Sequence, residues 1–294
     1  MSIVRISADS TLSDGPNPAL APVQPRRVTG GKAISNVVLL VLGALFLMPL
    51  LWLIFASVDS HAGPTIELPR FTLDQFKAAV SGDNLRALLN SLLISTIATI
   101  VSTVAAIFAA YAFSRRHIPW RGPALLFILM LAGVPVPILI VPIYELFANY
   151  GFLALVPAAI FLGVTSLPFE IWIIKNFIDA VPTDLEEAAR LEQANTLQVL
   201  LRVVLPVAMP GIAAAVIFGF INAWGNFLVP LILIVASSQQ PAPVALFGFF
   251  ANDVIRYGAM AAYSILYSVP VVILYLALGR FFRGGFVLGG AVRG

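Results

Sequence analysis

Residues 87–113 read ALLNSLLISTIATIVSTVAAIFAAYAF, a stretch without one charge, bounded by Arg86 on one side and by Arg115 and Arg116 on the other. A helix rises about 1.5 Å per residue, and a hydrocarbon core roughly 30 Å thick needs about 20 apolar residues, so this run is long enough to cross a bilayer. It shows no strand-like alternation, which excludes a barrel strand. Outward from it, comparable runs cover about 34–57, 123–147, 153–177, 210–236 and 260–282. The expected fold is therefore an all-α polytopic membrane protein with six transmembrane helices. Composition points the same way: 60% of the 294 residues are hydrophobic and 11% charged, against about 45–50% and about 25% in a soluble domain. No room is left for a large soluble domain. With no cysteine and two histidines, a disulfide framework, a thiol nucleophile and a metal centre are all disfavoured. The net charge of +3 is scattered between apolar runs, which suits topology better than nucleic-acid binding.

Residues 1–32 are polar and rich in Pro, Ser and Asp, and read as a disordered tail ahead of a membrane domain over 33–294. The apolar run that follows starts too late and is too long for a cleaved signal peptide. If the tail is cytoplasmic, thirteen of the 17 basic residues fall on that side and only Arg70, Lys77, Arg86 and Arg256 on the other. The positive-inside bias then puts both termini in the cytoplasm. The outer segment 58–86, with Pro64 and Pro69, is expected to hold a short interfacial helix able to touch an external partner.

Polar and small residues inside the spans carry further information. Pro135, Pro137 and Pro142 mark a kink in the third span, because the backbone groups they free must be satisfied by neighbours or by cavity water. In the second span Ser91, Ser95, Thr96, Ala98, Thr99, Ser102, Thr103, Ala105, Ala106, Ala109 and Ala110 permit close helix approach. In the fifth, Asn222 and Asn226 lie four apart around Trp224 and Gly225. An indole beside two amides offers a stacking face and hydrogen-bonding groups for a sugar, and equally fits interhelical hydrogen bonds in a packed bundle. Lys175 reads as a snorkelling residue, and Glu170 is an intramembrane acid of open role.

The connection over 178–209 is too long for a turn. Pro182 followed by Thr183 and Glu186 has capping-box spacing, so a short helix is expected to begin near Asp184. Its first-turn acids, Asp184, Glu186 and Glu187, suit the positive end of the helix dipole. Glu186 and Arg190 are an i,i+4 pair, and Leu185, Ala188, Ala189 and Glu192 share a face whose alanines leave room for another surface. A second start follows at Asn195, with Gln198 at N3, leading to Leu205-Pro206. Such a pair between two spans would make a lever that another protein could push. Anionic headgroups would repel its acids, which argues against a helix resting on lipid.

Glu187-Ala188-Ala189, Glu192, Ala194, Leu205-Pro206 and Pro210 resemble the EAA loop of bacterial ABC importer permeases. Asn90-Ser91, the stretch from Ala110 to Arg115, Pro142-Ile143-Tyr144, Phe177 to Pro182 and Gly289 to Gly294 are similar to the carbohydrate-uptake, maltose-type branch. The resemblance runs from about residue 35 to the end. It implies that the loop is a cytoplasmic coupling helix, between the fourth and fifth spans, docked in a cleft of a separate ATPase. Thr183, Glu186, Glu187, Ala188, Ala189, Arg190, Glu192, Gln193 and Pro206 are then the coupling residues, with Glu187 meeting a basic residue and the alanines forming the small face. The family's usual glycine is replaced by Gln193, which implies either a tighter backbone there or a different turn geometry. Asn222, Trp224, Asn226, Pro135, Pro137 and Tyr144 become the path candidates. The implied assembly holds a second homologous permease subunit, two ATPase subunits and an extracytoplasmic solute-binding protein in the inner membrane, with ATP and Mg on the ATPase and no cofactor on this chain.

A phosphate-cradling Gly-x-x-x-x-Gly-Lys-[Ser/Thr] loop and a Gly-x-Ser-x-Gly elbow are both absent from the sequence, so no catalysis is expected of it. Two transport readings remain: a passive permease driven through the loop, for a sugar or for another solute such as a glycerol phosphate or polyamine, and an ion-coupled secondary carrier. The carrier would place acids near the midplane. Here five of the 14 acids (Asp179, Asp184, Glu186, Glu187 and Glu192) gather within a few turns of the loop, which favours the driven permease.

Overall fold

The computed structural model describes residues 29–250 and 255–290, with side chains between 35 and 281. Apart from Thr29–Lys32, the tail expected over 1–32 lies outside the described residues, as do 291–294. Nearly everything described is helical, and the isolated bridge between Asp59 and Phe71 is its only strand-like pairing. The elements in order are α1 (Thr29–Ser57), α2 (Asp74–Ala79), α3 (Asn84–Arg115), α4 (Arg121–Leu131), α5 (Val136–Tyr150), α6 (Leu155–Asp179), α7 (Thr183–Leu191), α8 (Thr196–Val199), α9 (Leu205–Trp224), α10 (Leu228–Leu233), α11 (Ala242–Gly248) and α12 (Tyr257–Gly290). Two compact units divide at Pro49, inside α1, and only the second carries the features below.

Among the described residues four helices are long and apolar enough to cross a membrane, and the number rises to as many as six if each of two bent pairs counts as one span. The third run is one such pair: α4 and α5 meet at 84°. Pro135 sits at the N-cap of α5 and Pro137 in its first turn, where a missing N–H costs nothing but no helix can continue through from α4. The expected kink is thus a break. The fifth run departs further from a single helix. From Thr196 the chain runs through a π-helical turn, Leu200–Val204, and bends by 83° around Ala208 before continuing to Trp224. Pro206 cannot donate to Arg202, and Pro210 cannot donate to Pro206, so the hydrogen-bond ladder fails twice in succession. The helix then stops at Trp224, and α10 restarts at Leu228.

The core of the second unit is the contact of α3 with α6 and α9. Residues Leu85, Leu89, Leu93, Ile100, Val104 and Phe108 of α3 are exposed, while Ser91, Ser95, Ala98, Ser102, Ala106 and Ala110 are buried. Small and weakly polar residues thus make up most of the face turned to the protein, with Leu88, Ile94 and Tyr111 among them, while Thr96 and Ala105 lie on the outer side with the large apolar residues. The fit is close: a Cβ on Gly163 of α6 would lie 2.7 Å from the Ala98 carbonyl oxygen. At the end holding α2, the start of α3 and the start of α12, Asp59 accepts from the backbone N–H groups of His61 and Arg70 at 3.1 and 3.0 Å. Those two donors hold its carboxyl below the usual carboxylate range. α2 is the short helix expected in the 58–86 segment.

Candidate functional site

At the opposite end, α7 and α8 form the helix pair expected in the 178–209 connection. The second start is as the spacing implies: Asn195 Oδ1 accepts from Gln198 N–H, and Gln198 Oε1 accepts from Asn195 N–H, each at 2.9 Å. The first differs. α7 begins at Thr183 itself, after Pro182, with no side-chain cap, so the expected capping box is not formed. Glu186 turns inward instead and is buried. Its Oε1 accepts from Arg115 Nε at 2.6 Å and its Oε2 from the Tyr111 hydroxyl at 3.1 Å. A charge-assisted bond to a guanidinium outweighs a solvated cap, and breaking such a buried pair costs about 3–5 kcal/mol. The Arg190 guanidinium stands 4.0 Å from the same carboxylate, completing the i,i+4 pair at the limit of contact.

Arg115 does more than pair. Its Nη2 donates to the carbonyls of Ile178 and Val181 at 2.9 and 2.8 Å, and its Nη1 to the Ser114 hydroxyl at 3.1 Å. Ser114 in turn donates to Asp179 at 2.6 Å, and Asp179 also accepts from Lys175. Lys175 is therefore tied to the end of its own helix α6.

The C-terminal turn of α7 is a Schellman motif. Gln193 N–H reaches the Arg190 carbonyl and Ala194 N–H the Ala189 carbonyl, at 3.0 and 3.1 Å. Gln193 occupies the position after the cap with φ of 63°, in the left-handed region. The tighter backbone implied for this residue is present. Ala189 and Ala194 pack against the adjoining core. Asp184, Leu185, Glu187, Ala188, Glu192 and Leu191 face outward, Leu191 with 86% of its surface exposed. Leu191 was not singled out from the sequence, although an apolar residue three beyond Ala188 on a short acidic helix is a signal. Tyr111 and Arg115 carried no such signal as partners of Glu186, being 75 and 71 residues away. Pro206 lies in the first turn of α9, away from this outward face.

The path candidates do not come together as the spacing suggested. Asn222 and Asn226 do not share a helix face, because α9 ends between them; Asn222 is exposed and Asn226 Oδ1 accepts from Val229 N–H at 3.0 Å, starting α10. Trp224 is only 3% exposed, stacked between Phe220 and Tyr267 at centroid distances of 5.4 and 5.0 Å. Its Nε1 donates to the Tyr267 carbonyl at 3.2 Å. An indole covered on both faces has none left for a sugar ring, so packing accounts for it. Beside it Gly225, Phe227, Phe247, Phe250 and Tyr267 line an open recess of about 390 Å³. Pro135, Pro137 and Tyr144 are exposed on α5, which buries only Ile140.

Glu170 is fully buried in the middle of α6, accepting from Ser102 at 2.8 Å and Thr103 at 3.1 Å. A Cβ on Gly219 would stand 2.3 Å from its Oε1, so α9 closes over the carboxyl. Both oxygens accept from α3 and so tie α6 to α3 under the cover of α9, which is a structural use of an intramembrane acid. Among the described residues no group of three or more His, Asp or Glu could hold a metal ion.

Residues 102–284 match the family described as "Binding-protein-dependent transport system inner membrane component". The chain is 30% identical to the diacetylchitobiose uptake system permease protein DasC of Streptomyces coelicolor, over 92% of this chain and 100% of that protein. It is also 30% identical to the trehalose transport system permease protein SugB of Mycobacterium tuberculosis, over 84% of this chain and 93% of that one. Among solved structures, a chain of a bacterial ABC transporter that imports the acidic polysaccharide alginate superposes with a TM-score of 0.74 at 20% identity, covering 89% of this chain and 100% of that chain. A bacterial alginate ABC transporter in complex with an alginate pentasaccharide-bound periplasmic protein gives 0.63 at 15% identity, over 86% and 95%. At those identities the likeness to the solved chains is one of fold.

Proposed function

The chain belongs to the family of binding-protein-dependent transport system inner membrane components, and from that premise we propose that it is one permease subunit of an ATP-driven carbohydrate importer. The family is one of transport components, not of catalysts, and the sugar class is supported by the diacetylchitobiose and trehalose permeases it resembles over most of its length. Six spans, counting each bent pair as one, form half of the translocation path, with both termini cytoplasmic and 178–209 as the coupling loop. The other half comes from a second homologous permease. A pair of ATPase subunits binds ATP and Mg and drives the cycle, and an extracytoplasmic binding protein delivers the sugar. The exposed row along α5, with Pro135, Pro137 and Tyr144, suits a path closed only when two chains meet.

The observation that carries this reading is α7. A short helix that turns one acid inward onto Arg115 while leaving Asp184, Glu187, Ala188 and Leu191 exposed is anchored on one side and open on the other. An acidic rim around a small-residue and leucine centre is what a cleft with a basic edge would accept. Glu187 supplies the charge contact, Ala188 lets the surfaces close, and Leu191 fills the cleft.

Reversing that charge tests the reading. In the transporter assembled with its ATPase, Glu187→Lys is expected to abolish substrate-stimulated ATP hydrolysis while the spans remain inserted in the membrane. Normal sugar uptake by this variant would overturn it.

A further inference from the structure

Outside the exposed face of α7 the fold holds a recess beside Trp224, a buried acid where α3, α6 and α9 meet, an apolar groove between α5 and α6, and a guanidinium at the meeting point of α3, α6 and α7. The recess and the groove are almost wholly apolar and nothing shows what covers them. The acid, Glu170, is already paired with Ser102 and Thr103. Arg115 is different, because from α3 it bonds both α7, at Glu186, and the end of α6, at Ile178 and Val181.

One nitrogen pairs with Glu186 of α7, another donates to the carbonyls of Ile178, in the last turn of α6, and of Val181, just beyond it, and the third steadies Ser114 on its own helix α3. The last carbonyls of a helix lie outside its regular ladder; that of Ile178 accepts from Val181 N–H at 3.0 Å, and Arg115 adds a second donor to it without using the outward face of α7. Its side chain is 13% exposed and that of Glu186 4%. The planar fork of a guanidinium can hold these directions at once, whereas an ammonium is a point charge on a flexible stem. α3 and α6 are also the most extensively packed pair of helices, joined at Ala98 and Gly163 and again at Glu170. A displacement of α7 therefore reaches α3 and α6 through Arg115, alongside the Tyr111 contact with Glu186 and the packing of α7 on the π-helical turn.

We infer that Arg115 is the positioning residue that converts displacement of α7 into movement of α3 and α6, so that it couples ATP hydrolysis to passage of the sugar without taking part in docking the ATPase. The inference rests on the permease reading above. Removing the fork while keeping the charge loosens α7 from α6 and leaves the docking face unchanged. Energy supplied at α7 is then dissipated in that joint.

The experiment uses the assembled transporter in proteoliposomes with its binding protein, comparing wild type, Arg115→Lys and Glu186→Gln. ATPase copurification, ATP hydrolysis and uptake of labelled sugar are measured on the same preparations. For Arg115→Lys, copurification and hydrolysis are expected to stay near wild type while sugar imported per ATP falls by roughly tenfold, within the range of coupling between distant sites. Glu186→Gln retains the Tyr111 contact and should give a smaller fall in the same ratio. Uptake and hydrolysis declining in parallel with copurification would overturn the inference in favour of a role in folding or docking. An unchanged ratio in Arg115→Lys would overturn it too, with the permease reading intact. A wild-type chain that recruits no ATPase would overturn both.

Discussion

Gln193 shows how much a single backbone angle constrains this site. Its φ of 63° follows from the Schellman closure of α7, which needs a left-handed residue after the cap. For a residue with a Cβ that conformation costs about 1–2 kcal/mol. Glycine removes the cost but loses roughly 0.5–1 kcal/mol more backbone entropy on folding. Gln193→Gly should therefore unfold at or slightly above the parental temperature and still copurify with the ATPase, whereas the β-branched Gln193→Val should unfold earlier, by about 1–3 kcal/mol. Thermal unfolding of the detergent-solubilised chain distinguishes them, and a Gly variant less stable than the parent would mean that another interaction sets this turn. The residue scale also shows what the sequence could carry. Asn195 and Gln198 were legible because both halves of their capping box lie within one turn. Thr183 and Glu186 have the same spacing, yet Glu186 leaves it for Arg115, 71 residues earlier in the chain. Local spacing lists the partners a side chain could take, and a buried guanidinium brought close by folding outcompetes the local one.

Among the elements, α3 and α6 are held by small residues rather than by large apolar ones. Between helices already surrounded by apolar solvent, burying leucine gains little, so close backbone approach supplies the attraction. Gly163 makes this specific: the atom that an added methyl would meet is the backbone oxygen of Ala98, which cannot rotate away. Gly163→Ala must push the helices apart, and overpacking of this kind costs about 1–3 kcal/mol. Chemical unfolding should show that loss for Gly163→Ala and almost none for Gly122→Ala, where the added methyl meets nothing within 4 Å. Equal losses in both would shift the cause to glycine replacement as such. That the small residues of 87–113 permit close approach was readable, but which of them turn inward was not, since Thr96 and Ala105 are exposed while Ser95 and Ala106 are buried. The break between α4 and α5 was partly readable, since Pro135 and Pro137 cannot continue a ladder. The end of α9 was not. Apolar residues continue on both sides of Gly225-Asn226, so hydropathy saw one span where the backbone makes two pieces.

For the whole molecule, few charges do two jobs according to where they fall. Arg115, Arg116, Arg121, Lys175, Arg190 and Arg202 lie at or beyond the α7 end of their helices, whereas Arg70, Lys77 and Arg86 belong to the segment around α2. Basic residues retained on the cytoplasmic side set orientation, so the α7 end is the cytoplasmic one in the proposed arrangement. The acids of α7 lie at that same basic end, where anionic lipid would repel them and a protein cleft would not. The absence of native cysteine makes this directly testable. Leu68 and Leu191 are 90% and 86% exposed and belong to opposite ends. In vesicles holding this chain without ATPase, a membrane-impermeant thiol reagent should label Leu68→Cys only when the outer face is presented and Leu191→Cys only when the vesicles are inverted. Adding the ATPase should then protect Leu191→Cys and leave Leu68→Cys reactive. Reversed labelling would turn the chain over in the membrane, and labelling of Leu191→Cys that persists with bound ATPase would move the docking face away from the side of α7 that carries Ala188 and Leu191.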